Sequence, residues 1–264
     1  MLSAGQLAQF ETFGFVHLRA LFTAAEMTAI TASAEAIWRQ DLEEGGGEEG
    51  HQGVVSFIER RPALAHLPED DRIWGPVGQV AGAGFVWGGS EGNKGSFNET
   101  RDHQWHSDRA GQIDLAYRRV KIMIYLQAMC KDTGALRVIP GSHQADFHRR
   151  LLVLQPQGPD TSMDVFGVAG PDLPSYPVEV EPGDVVLFDH YLYHGVYGKQ
   201  ERRSYIAMKF AARPQTEVHY RALQAHGQGA EKLHEDFRHS QRPRIRAMVE
   251  GLLEWERRAE GAAV

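Results

Sequence analysis

Residues 178–188 read VEVEPGDVVLF, and this stretch decides the fold class. Its two ends, 178–180 and 185–188, are rich in the β-branched and aromatic residues that favour strands, and the Glu-Pro-Gly-Asp between them is a turn signal. A strand, a turn and a second strand without an intervening helix are typical of antiparallel sheets.

Further segments of the same composition lie on both sides of this stretch and extend the prediction. They are Val54 to Ile58, Phe85 to Trp87, Val120 to Leu126, Leu136 to Ile139 and Ser204 to Phe210. Most are bounded by Gly, Pro or Asp, so the spacing predicts short strands in a sandwich or barrel rather than an alternating α/β sheet.

The chain outside this strand-rich middle is predicted to be helical. Ser3 with Gln6, and Thr23 with Glu26, match the capping box, in which two side chains satisfy free backbone N–H groups at a helix start. Pro243 should break or restart the C-terminal helix. We find no internal repeat and no linker, so we expect a single domain over residues 1–264.

Composition excludes several classes of protein. With 42% hydrophobic residues the chain can bury a core, and Cys130, the only cysteine among 264 residues, can form no internal disulfide. A net charge of −7 argues against nucleic acid as a partner. No apolar run is long enough for a membrane span, and the N-terminus lacks the pattern of a secretory signal. We therefore expect a cytoplasmic protein.

The segment Trp105-His106-Ser107-Asp108 is the strongest chemical signal. Alternate residues of an extended segment point to the same side, so the imidazole of His106 and the carboxylate of Asp108 can converge. His194 is the best third donor, with His190 as its rival. Two histidines and one carboxylate form a facial triad, which leaves positions open on Fe(II).

Taken in order, the motifs resemble the phytanoyl-CoA dioxygenase family of Fe(II)/2-oxoglutarate oxygenases. The resemblance spans roughly residues 100–212 and rests on His106-x-Asp108, the segment Gly134 to His143, Pro182-Gly183-Asp184, His194-Gly195 and Arg202-Arg203. It implies a mainly β fold, a double-stranded β-helix or jelly-roll core with flanking N- and C-terminal helices. It also implies that His106, Asp108 and His194 bind iron as the catalytic residues.

The resemblance further implies a cosubstrate site. An arginine about nine residues after the distal histidine clamps 2-oxoglutarate in the family, and here that position is Arg203. Because a guanidinium offers a carboxylate two parallel charge-assisted bonds, the residue type suits the role. Arg202 competes with it, since adjacent strand residues face opposite sides. We favour Arg203.

Lys121 interrupts the apolar strand at 120–126. If the face that bears residues 121, 123 and 125 lines the barrel interior, Lys121 would pair with a carboxylate of cosubstrate or substrate, because a lone buried ammonium is costly. The alternative is that its stem extends to a strand edge.

The activity implied by the family is hydroxylation or desaturation of an unactivated C–H bond of a small molecule, with O2 consumed and succinate and CO2 released. Related halogenases lack the carboxylate, so Asp108 argues against halogenation. The alternatives are a 2-oxoglutarate-independent metal enzyme and a non-catalytic ligand-binding barrel. Segments 91–102 and 156–174 are expected to set substrate selectivity, the second as a candidate lid.

Overall fold

The computed structural model describes residues 1–46, 52–95, 102–109, 116–155, 165–198 and 203–261. Within these ranges, ten strands form two antiparallel sheets. The strands are β1 (Phe15–Leu18), β2 (Gln52–Val55), β3 (Val86–Lys94), β4 (His103–His106), β5 (Arg119–Tyr125), β6 (Leu136–Val138), β7 (Tyr176–Val178), β8 (Val185–Asp189), β9 (His194–Val196) and β10 (Ser204–Ala211). The six-stranded sheet has the order β1-β8-β5-β10-β3-β2, and the four-stranded sheet has the order β4-β9-β6-β7.

Helices occupy both ends of the described chain and three of the connections between strands. They are α1 (Ala4–Phe13), α2 (Ala24–Glu43), α3 (Asp71–Ala81), α4 (Ala145–Leu151), α5 (Glu217–Gln224), α6 (Glu235–Arg238) and α7 (Pro243–Gly261). No helix within the described ranges combines the length and the apolarity needed to traverse a bilayer.

The large sheet is buried on both faces, and the alternation of its side chains separates two cores. Ile122 and Ile124 of β5 join the core under the helices, whereas Met123 and Tyr125 join a core shared with the small sheet. Because side chains alternate along a strand, the odd-numbered residues of β5 and β10 face the interior between the sheets. This arrangement is the predicted mainly β jelly roll with flanking helices.

Local patterns explain where several elements begin and end. Both capping boxes are confirmed, at Ser3 with Gln6 and at Thr23 with Glu26. α7 begins at Pro243, where the missing N–H costs no hydrogen bond. The predicted strand at 54–58 was too long. It ends at Val55 because Ser56 has φ of 50°, a left-handed conformation that interrupts a strand.

Candidate metal centre

Two histidines meet across a pair of strands. In the register of β4 and β9, His106 lies directly opposite His194, and the centroids of their rings are 4.3 Å apart. Gly195 permits this close pairing, since a Cβ there would lie 3.1 Å from the carbonyl oxygen of His103 and 3.3 Å from the Trp105 ring. The sequence pair His-Gly thus has a steric reason at this position.

Asp108 reaches the same point from a turn rather than from a strand. β4 ends at His106, and Ser107 makes the turn by accepting the Arg109 N–H at 3.2 Å while its hydroxyl donates to the His190 carbonyl at 3.1 Å. The predicted convergence of His106 and Asp108 is present, but the extended segment assumed for it is not. A serine-stabilised turn takes its place.

The three side chains offer one donor atom each within a small space. The Nε2 atoms of His106 and His194 both lie 3.8 Å from Oδ1 of Asp108, and the candidate donor atoms all lie within 4.8 Å of one another. Among the described residues, the cluster contains these three side chains and not the rival His190.

The orientation of both imidazoles suits a metal. Nδ1 of His106 lies 2.7 Å from the Gln104 carbonyl oxygen, and Nδ1 of His194 lies 2.9 Å from that of Leu192. A carbonyl only accepts, so each Nδ1 carries a proton, and in the neutral imidazole the lone pair of Nε2 is directed at the cluster. Two neutral imidazoles and one carboxylate are the donor set of a 2-His-1-carboxylate site.

Burial and neighbouring charges favour the protonation states that bind a metal, a neutral imidazole at His194 and an ionised carboxylate at Asp108. Burial, reinforced by His106, lowers the pKa of His194 to about 3, so this imidazole is neutral. Burial opposes the ionisation of Asp108, but Lys121 and the neighbouring histidines outweigh it and hold the pKa of that carboxyl well below its usual range. The cluster is therefore ready to bind a cation at neutral pH.

Lys121 lies on the interior face of β5, as expected if residues 121, 123 and 125 line the barrel. Its Nζ is 3.0 Å from Oε1 of Glu91 and 3.5 Å from Oδ2 of Asp108, and Glu91 also accepts from Lys209 at 2.7 Å. The structure thus gives Lys121 two carboxylates of the chain itself. Its pairing with a cosubstrate or substrate carboxylate stays a prediction.

Lys121→Met is expected to destabilise the metal-free protein by about 3 kcal/mol, because it leaves the half-buried Asp108 without its cation and Glu91 with Lys209 alone. Urea unfolding followed by circular dichroism measures the change. Lys121→Arg, which keeps the charge, should recover most of the loss. A loss below about 1 kcal/mol for the Met variant would contradict the assigned ion pair.

Arg203 is buried, with 6% of its surface exposed, and its side chain lies among aromatic rings. Its Nε–H donates to the Gly134 carbonyl at 2.9 Å, and its guanidinium carbon lies 4.7 Å from the Tyr205 ring centroid and 5.6 Å from that of Tyr125. No described carboxylate forms an ion pair with it. Arg202, its competitor, lies outside the described residues.

A cavity of about 290 Å³ opens beside Asp108. Its walls are entirely polar and include Glu91, Asp108, Arg109, Lys121, His190 and Lys209. Sequence reasoning missed three of these residues, Glu91, Arg109 and Lys209. Lys209 interrupts an apolar strand just as Lys121 does, so the same signal was available for it.

The segments expected to control selectivity are described only in part. Glu91 proved to be a strand residue, because β3 continues to Lys94. Residues 96–101 and 156–164, about half of the two predicted segments, lie outside the described ranges, and with them part of the candidate lid.

Comparison with known proteins gives a family match and several similar folds. The model of the phytanoyl-CoA dioxygenase family matches residues 10–204. Ectoine dioxygenase of Bordetella parapertussis is 28% identical over 154 residues, which cover 54% of this chain and 50% of that protein. The chain thus spans about half the length of the curated relatives it matches.

Solved structures with the same fold share less sequence. HygX of Streptomyces hygroscopicus, with nickel and 2-oxoglutarate bound, superposes with a TM-score of 0.65 at 22% identity, over 80% of this chain and 87% of that one. The carbocyclase SnoK from nogalamycin biosynthesis gives 0.60 at 21% identity, over 80% and 85%. At these identities the likeness establishes the jelly-roll fold.

Proposed function

The chain belongs to the phytanoyl-CoA dioxygenase family, and from this we propose that it is an Fe(II)- and 2-oxoglutarate-dependent oxygenase. It hydroxylates, or desaturates, a C–H bond of a small molecule and releases succinate and CO2. The observation that carries the proposal is the convergence of two neutral Nε2 donors and one carboxylate at His106, His194 and Asp108. HygX, a protein of this fold, is solved with 2-oxoglutarate bound, which supports the choice of cosubstrate.

When bound, iron and 2-oxoglutarate supply the oxidising chemistry with O2, and the protein supplies placement and exclusion of water. His106 and His194 are held by their Nδ1–H bonds, so their Nε2 atoms are in place before a metal arrives. The ring centroid of Phe188 lies 5.2 Å from that of His194, so Phe188 shields one side of the site from solvent.

Arg203 is the group that we propose for the distal carboxylate of 2-oxoglutarate. It precedes Tyr205 by two residues, so the alternation along β10 directs it to the interior face, as it does Lys209. A buried guanidinium without a protein carboxylate suits an anionic ligand.

Asp108 also bears on the reaction outcome. In the related halogenases a halide takes the place of this carboxylate. Because Asp108 is present here, we assign hydroxylation or desaturation rather than halogenation.

The proposal predicts a weak visible charge-transfer band when Fe(II) and 2-oxoglutarate are added to the protein without oxygen. Glutarate, which lacks the 2-oxo group, should give no band and serves as the matched control. With O2 and a panel of small-molecule candidates, succinate should form as 2-oxoglutarate is consumed. Iron binding without any 2-oxoglutarate binding would instead indicate a cosubstrate-independent metal enzyme, and failure to retain iron would indicate a non-catalytic barrel.

A further inference from the structure

We propose that the cavity beside Asp108 binds a small, hydrophilic, negatively charged substrate, a hydroxylated carboxylic acid or phosphate ester, through Arg109. The inference rests on the proposed function, because it names the substrate class of the same site. Four observations support it: a buried guanidinium that forms no ion pair with any described residue, the balance of charge, the polar walls and the separate place of Arg203.

Arg109 is buried, with 3% of its surface exposed, and its side chain lines the cavity. Among the residues that the structure describes, its Nε–H has no acceptor and its guanidinium forms no ion pair. The Ser107 hydroxyl fixes the backbone of Arg109, so the side chain starts from a set position. A buried charge without a partner costs several kcal/mol, which an anionic ligand would offset.

The charges around the cavity leave a positive excess. Arg109, Lys121 and Lys209 are cations, against the two carboxylates Glu91 and Asp108. Glu91 is shared by both lysines, at 3.0 and 2.7 Å, and Asp108 is a proposed ligand of a divalent cation. Neither carboxylate is left for Arg109. With metal bound the excess grows further, so the cavity favours an anion over a neutral or cationic molecule.

The walls also require a ligand that forms hydrogen bonds. His190 has 1% of its surface exposed, and within the described ranges neither of its ring nitrogens has a hydrogen-bond partner. An apolar ligand would leave these atoms and the Nε–H of Arg109 unsatisfied, which costs about 1–3 kcal/mol for each group. Hydroxyl groups both donate and accept, so a polyhydroxylated molecule fits the walls.

This subsite is distinct from the one proposed for the cosubstrate. Arg203 lies among Tyr125 and Tyr205, and the residues of the cavity wall do not include it. We therefore assign a different anion to each of these two arginines, 2-oxoglutarate to Arg203 and substrate to Arg109.

Calorimetric titration of the protein loaded with Fe(II) and saturating 2-oxoglutarate, without oxygen, tests the proposal. The probes are D-gluconate, D-glucose 6-phosphate and D-glucitol, the neutral polyol with the carbon chain of gluconate. We expect at least one anion to bind tenfold or more tightly than glucitol. Preference for gluconate identifies a carboxylate substrate, and preference for the phosphate ester identifies a phosphorylated one.

Arg109→Gln should abolish the preference for the anion, and Arg109→Lys, which keeps the charge but not the fork, should keep part of it. Arg149→Gln, at an exposed arginine of α4, is the matched control and should change nothing. The melting temperature of Arg109→Gln should not fall, because the variant removes a buried charge that forms no ion pair with any described residue. A fall of several degrees would indicate a structural ion pair and overturn the proposal.

Three other results would overturn it. These are equal binding of the charged and neutral probes, an unchanged anion preference in Arg109→Gln, and a tenfold loss of 2-oxoglutarate affinity in that variant. The last result would place Arg109 at the cosubstrate. The titrations are repeated without metal and cosubstrate, so failure of the oxygenase proposal, seen as a missing charge-transfer band, is distinguishable from failure of the anion subsite.

Discussion

Asp108→Ala is expected to lower 2-oxoglutarate-dependent turnover by more than about 100-fold. Loss of a residue that only orients a metal ligand typically costs 10–100-fold in metal affinity or activity, so loss of a ligand should cost more. The substitution removes the only carboxylate of the described donor cluster and its negative charge. Two imidazoles then remain to hold a divalent cation.

Two measurements separate the cause from a general loss of structure. Titration with Fe(II) should show weakened binding, and succinate formation should fall with it. The fold should persist, because Lys121 keeps its ion pair with Glu91 at 3.0 Å. Asp146→Ala, at a carboxylate with 90% of its side chain exposed on α4, is the control and should retain full activity. Substrate oxidation retained by Asp108→Ala would contradict the assignment.

The sequence predicted the donor cluster because its signal is carried by residue type and order. The motif His-x-Asp and the later His-Gly required no knowledge of the strands between them. The pairing of β4 with β9 that brings them together could not be derived, since register depends on contacts across the whole barrel.

The elements that the sequence missed are those in which tertiary packing overrides local preference. β3 runs through Gly88, Gly89 and Gly92, residues that weaken a strand pattern. At Gly92 a Cβ would collide with the Phe57 ring, so burial of that ring requires glycine there. Glu91 lies inside this strand, and the glycines around it hide the strand pattern in the sequence.

The helix α3 shows the same limit. It contains Gly75, Pro76 and Gly78, all poor helix formers, and it forms because Asp70 caps its first turn and Ile73 and Val77 are buried. Sequence reasoning also missed Arg109. Whether a guanidinium forms an ion pair depends on its neighbours in the folded protein, so no local sequence pattern identifies Arg109.

Arg203→Gln is expected to raise the KM for 2-oxoglutarate by roughly 30-fold or more, since removal of one partner of a buried, hydrogen-bonded charge pair costs about 2–5 kcal/mol. The value of kcat at saturating cosubstrate should change much less, because the guanidinium acts on binding and does not touch the reacting atoms. Steady-state succinate formation at varied 2-oxoglutarate measures both constants.

The neighbouring arginine provides the matched variant. Arg202→Gln should leave the KM within about twofold, since Arg203 is the arginine whose guanidinium is buried beside Tyr125 and Tyr205. Arg203→Gln also loses the contacts with Tyr205 and the Gly134 carbonyl. If this loss only disturbed the fold, a smaller fraction of the enzyme molecules would be active, so kcat would fall and KM would not rise. If Arg202→Gln alone raises the KM, the clamp is Arg202. If neither variant does, an arginine clamp at this position is wrong, and a normal KM in Arg203→Gln is sufficient to reject Arg203.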